Sequence, residues 1–96
     1  MNANTIEELR YLPPELGIKV CTMILLHESG NTPATPATLA DAFYLPGDQV
    51  PDQFGAILQE MMGLGWLHDL DTNGCHTLTA AGVKVAADFR EYYEAD

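Results

Sequence analysis

The sequence predicts an α+β domain: a helical core with one two-stranded β-hairpin placed before the last helix. Three observations predict it. Apolar residues recur at three- and four-residue steps along separate stretches. Threonine, proline and glycine punctuate those stretches where helices start and stop. "GWLHDL" at 65–70 and "CHTLT" at 75–79 flank "DTNG", the pattern of two short strands joined by a tight turn. With 96 residues, 47% of them hydrophobic, the chain can build one core and not two. Residues 1–96 are therefore expected to form a single domain, with 1–14 as an N-terminal helix or arm and 80–96 as the C-terminal helix.

"TIEE" at 5–8 has capping-box spacing, Thr5 as cap and Glu8 reaching back, so a short first helix is expected there, stopped by Leu12-Pro13-Pro14. From Glu15 to about Ser29, Leu16, Val20, Cys21, Met23, Ile24, Leu25 and Leu26 are too dense for a half-exposed helix and suit one buried on most sides. "SGNTPATP" at 29–36 reads as a loop. Thr35 before Pro36 then looks like a cap followed by proline at the first helical position, with Leu39, Ala40 and Phe43 on one face.

After a turn containing Pro46, Gly47 and Pro51, the next helix is expected from about Asp52 to Gly63. Phe54, Ile57, Leu58 and Met61 lie on its inner face, and Asp52, Gln53, Ala56, Gln59, Glu60 and Gly63 on its outer one. In the hairpin, Asn73-Gly74 tolerates the positive φ angles of a tight turn. Thr79 caps the last helix, from Ala80 to about Tyr93, whose apolar positions are Val83, Ala86, Phe89 and Tyr93.

Charge restricts the function classes. Fourteen acidic residues oppose four basic ones, a formal net charge of −10. The bases are Arg10, Lys19, Lys84 and Arg90, so residues 20–83 hold none while carrying Glu28, Asp41, Asp48, Asp52, Glu60, Asp69 and Asp71. Such a chain repels phosphate by default. No apolar run approaches the roughly 20 residues that cross a bilayer, and "MNANTIEELRYL" lacks the basic and apolar segments of a signal peptide. A cytosolic location is expected, with Cys21 and Cys75 as free thiols.

Catalytic patterns are missing from the sequence. "HESGN" at 27–31 begins like a zinc-protease motif but carries Asn31 where the second histidine belongs. His68, Asp69, Cys75 and His76 could converge on the hairpin as metal ligands, but their spacing matches no known site, and polar hairpin residues usually face water. Ser29 has no nucleophile-elbow context, and no glycine-rich phosphate loop is present. The expectation is a non-enzymatic protein that needs no cofactor.

The order of elements, together with "TLADAF" at 38–43, Phe54, Leu58, Met61 and Gly65 followed by "WL", and "LTAAGVKVA" at 78–86, resembles a winged helix-turn-helix domain of MarR-like and PadR-like regulators. The resemblance implies that the helix from about Asp52 enters the major groove and that the hairpin is the wing, both normally bearing arginine or lysine. This chain departs from the pattern twice. "PGDQVPD" lengthens the connection before that helix, and the expected DNA face carries no base at all.

Two functional readings follow. In the first, the domain binds a protein through Asp52, Gln53, Gln59, Glu60, Asp69 and Asp71, its acids imitating DNA phosphates toward a basic nucleic-acid-binding surface, as small acidic phage proteins of the anti-restriction or anti-CRISPR type do. A homodimer using "FREYYE" at 89–94 as aromatic anchors fits the same class. In the second, the chain is a DNA-binding transcriptional regulator whose four bases converge on one surface. Gln53 and Gln59 could then read adenine edges.

Overall fold

The computed structural model describes residues 3–44 and 53–94. Five helices order the chain: α1 (Ala3–Arg10), α2 (Pro14–Glu28), α3 (Pro36–Phe43), α4 (Gln53–Gly63) and α5 (Ala80–Glu94). The α2 helix is the hub, packing against α1, α3, α4 and α5. Its density of apolar residues makes this possible, since Ile18, Val20, Cys21, Met23, Ile24 and Leu26 are all buried and point around most of its circumference. Leu16, counted with that set in the sequence, is instead 39% exposed at the helix start.

Local signals place the helix ends. The Thr35 hydroxyl accepts the Thr38 N–H at 3.1 Å, and Pro36 follows it as the first helical residue. Likewise the Thr79 hydroxyl accepts the Gly82 N–H at 2.9 Å and donates to the Gly65 carbonyl, so one side chain caps α5 and ties it to the exit of α4. At that exit, Trp66 N–H bonds Met61 O and Gly65 N–H bonds Met62 O, the paired closure that satisfies a helix's last carbonyls. The inner face of α4 is Phe54, Ile57, Leu58 and Met61, as its spacing predicts.

Four further expectations need correction. The first helix contains Thr5 rather than starting on it; Thr5 is buried inside α1, whose described residues begin at Ala3. On α5, Val83 is 37% exposed, while Gly82 is buried because the helix meets the Trp66 backbone there. A Cβ on Gly82 would overlap the Trp66 carbonyl oxygen and lie 2.9 Å from its carbon, a contact that backbone cannot yield by rotating a side chain.

The wing is the third correction. Among the described residues no strand forms; the 66–78 stretch makes only isolated antiparallel bridges, Leu67 with Leu78 and His76 with Ala34. The 75–79 segment pairs on both of its edges. His68 N–H bonds Thr77 O and Thr79 N–H bonds Trp66 O, while His76 exchanges both of its backbone hydrogen bonds with Ala34 of the α2–α3 connection, at 2.8 and 3.2 Å. The hairpin ladder stops because its register slips: Leu70 N–H turns to Asp69 Oδ1, Asp71 N–H takes Cys75 O in its place, and His68 O accepts the His76 ring Nδ1–H.

The fourth concerns the turn. Gly74 takes a positive φ of 73°, and Asn73 does not. Gly74 N–H closes the turn on Asp71 O, and Asp71 N–H bonds Cys75 O, the arrangement of a three-residue loop ending in a left-handed glycine. The lengthened connection with Pro46, Val50 and Pro51 lies outside the described residues, as does Asp52. No helix among the described residues is long and apolar enough to cross a membrane.

Candidate interaction surface

Burying Phe54, Ile57, Leu58 and Met61 turns the other side of α4 to solvent, because residues two positions away lie about 160° round the helix after compounding its 3.6-residue turn. Gln53, Gly55, Ala56, Gln59, Glu60 and Gly63 are exposed there. Of the six residues the sequence singles out, Gln53, Gln59 and Glu60 thus share the solvent side of one helix. Asp69 and Asp71 are exposed on the turn after it.

The two turn carboxylates do different jobs. Asp69 Oδ1 accepts the neighbouring Leu70 N–H at 2.7 Å. Asp71 Oδ1 accepts the N–H groups of Asn73 and Cys75, at 2.8 and 3.0 Å, replacing backbone partners that the loop cannot supply. Asp71 is therefore a structural part of the turn as well as a surface charge.

Tertiary packing also alters the charge picture. Lys19 of α2 reaches α4, its Nζ 2.9 Å from Glu60 Oε1, with the lysine side chain 17% exposed and the glutamate 52%. The interval without bases is continuous in sequence but not in space. Arg90 bonds Glu94 at 3.0 Å and His27 Nδ1 at 3.1 Å, joining α5 to the end of α2. A guanidinium only donates, so His27 Nδ1 is the acceptor. Lys84 is exposed on α5.

Sequence reasoning missed two apolar surface residues, Leu64 (50% exposed) and Leu70 (48%). The signal was local, since "GLG" and "DLD" isolate each leucine from any apolar periodicity. His76, grouped in the sequence with polar hairpin residues that face water, has its ring buried at 2% exposure. A carbonyl only accepts, so His76 Nδ1–H donates to His68 O at 2.9 Å, and the ring pins the turn from inside. Among the described residues no group of three or more histidine, cysteine or acidic side chains could hold a metal ion.

Tyr93 packs against the core and Tyr92 is 79% exposed, their rings 4.8 Å apart. Burial pushes the Cys21 thiol up to about 12, because a thiolate inside α2 would lose its water. Cys75 is free and partly exposed.

No family model matches the chain, and neither the curated proteins nor the solved structures include a match to it.

Proposed function

We propose that this chain is a winged-helix module that binds a protein rather than DNA, presenting the outer side of α4 and the Asp69–Asp71 turn to a basic, nucleic-acid-binding surface. The order of contacts supports the fold reading. A bridge from Ala34, between α2 and α3, joins His76, and Leu67, after α4, joins Leu78. That order places one short pairing segment before α3 and two after α4, the arrangement expected of a winged helix with its strands reduced to single bridges.

The carrying observation for function is the charge of α4. Its exposed side offers Gln53, Gln59 and Glu60, and the base that packing brings to it, Lys19, is engaged by Glu60. Phosphate neutralisation supplies nearly all non-specific DNA affinity. A surface without a spare cation forgoes that term, while a net charge of −10 speeds association with a basic protein.

The test is capture of partners from host lysate with and without nuclease, followed by introducing a positive charge with Gln59→Lys and reversing one with Asp69→Lys. Neither position disturbs the Lys19–Glu60 pair or the Asp71 turn. We expect a nuclease-resistant protein partner whose affinity falls about tenfold per substitution. Undiminished affinity in the double variant would discard the acidic-surface assignment.

The second reading, a winged-helix transcriptional regulator, draws on the exposed glutamines of α4 with Lys19 beside them. It requires DNA affinity that falls steeply with salt and drops further in Lys19→Ala. A flat salt response would remove it.

A further inference from the structure

A surface pocket of about 260 Å³ opens where the last turn of α2, the connection after it and α3 meet. Leu25 and Leu26 contribute from α2, Ala34 from the connection, and Leu39 and Ala42 from α3. Three hydroxyl residues also line it, and each is already engaged. Ser29 Oγ donates to Leu26 O at 2.9 Å and accepts Thr32 N–H at 3.2 Å. Thr32 Oγ1 donates to Ser29 O at 2.6 Å, and Thr38 Oγ1 is 2.9 Å from Thr35 Oγ1.

No ionisable residue lines the pocket. An entering charged or strongly polar group would give up water without an equivalent partner, so the pocket selects an apolar occupant. Its volume exceeds the roughly 150 Å³ that holds a benzene ring, yet falls short of the ~300 Å³ at which dedicated small-molecule sites begin. That interval suits one leucine, methionine or phenylalanine side chain.

Charge decides what kind of chain presents the side chain. Exposed Asp41 lies on α3 between the lining residues Leu39 and Ala42, and acids outnumber bases fourteen to four in the chain. A second copy of this chain would bring another net charge of −10 against them, whereas a basic segment gains from the same field. We propose that this pocket is an anchor socket, taking one bulky apolar side chain from a lysine- or arginine-rich segment of a partner protein. The proposal rests on the protein-interaction reading above and adds a second contact to it, on α2 and α3 rather than α4.

The test uses the full chain labelled with ¹⁵N and three acetylated, amidated peptides: a central phenylalanine flanked by lysines, the same peptide with alanine at the centre, and a phenylalanine peptide flanked by glutamates. We expect the first to shift the amides of Ala34, Thr38 and Ala42. The alanine peptide should bind about tenfold more weakly, by the apolar area it lacks, and leave those amides in place. The glutamate peptide should not bind. Ala42→Trp should fill the pocket and abolish the shifts; if that variant does not fold, the peptide comparison on the unaltered chain still decides.

Equal binding by the phenylalanine and alanine peptides, or shifts confined to α4 and the 69–71 turn, would overturn the socket. The acidic-surface reading would survive that result, because its own test is Gln59→Lys and Asp69→Lys. Shifts at the pocket with toluene but with neither lysine peptide would assign it to small apolar molecules and also overturn the proposal.

Discussion

The α2 helix and the 64–79 segment are stabilised in different ways. In α2, side chains of ordinary shape lose their water on nearly every side, and stability is spread over many contacts. In 64–79, few residues are buried, and shape depends on particular polar partners: Asp71 within its turn, His76 on the His68 carbonyl, Thr79 on Gly65, and Asn31 on Leu78. Damage to the first region should scale with the volume removed. Damage to the second should depend on which single bond is lost.

The largest contrast is chemical, because each region holds one cysteine. With its thiol pushed up to about 12, Cys21 should carry roughly a thousandfold less thiolate than an ordinary thiol, before counting its burial. We expect a disulfide reagent to modify Cys75 alone in the native protein and both cysteines in denaturant. Equal native rates would mean that α2 opens readily.

Next come two changes that act on packing. Met23→Ala should cost about 3 kcal/mol in urea unfolding, since the side chain is fully buried and the surrounding helices cannot collapse onto the void. Gly82→Ala should cost about 2 kcal/mol despite adding only a methyl group, because the Trp66 backbone occupies that space and α5 must move away. A neutral Gly82→Ala would show that the α5–Trp66 contact is loose.

Asn31→Ala probes the bond-specific region at long range. Asn31 sits at a φ of 61°, donates from Nδ2 to Leu78 O at 3.1 Å and accepts Leu78 N–H on Oδ1 at 2.6 Å. Losing both bonds while keeping a left-handed backbone should cost about 2 kcal/mol. Asn31→Gly loses the same two bonds but relieves the backbone, so the difference between the two variants isolates the strain.

A smaller stability effect is expected at Asp71→Ala, about 1 kcal/mol, with altered amide shifts at Asn73 and Cys75. Asp69→Ala, with one adjacent backbone bond, should be close to neutral. If the two aspartates respond alike, the turn does not depend on the Asp71 carboxylate.

Helix faces and caps were legible in the sequence because they are written over three or four residues. Thr35 and Thr79 act on the N–H three positions ahead, and the face of Phe54, Ile57, Leu58 and Met61 follows from the helical repeat alone. On the candidate surface, the exposure of Gln53, Gln59 and Glu60 was legible for the same reason.

Only the tertiary structure decided the rest, since each remaining feature needs a partner far along the chain. Lys19 meets Glu60 across 41 positions and Asn31 meets Leu78 across 47. His76 pairs with Ala34 on the far edge of its segment, and its ring, on the same face as Leu78, is buried where its polarity alone suggests water. Backbone periodicity fixes which side of an element is apolar. Which distant segment meets that side, and which charges it brings, is settled only when the helices close on α2.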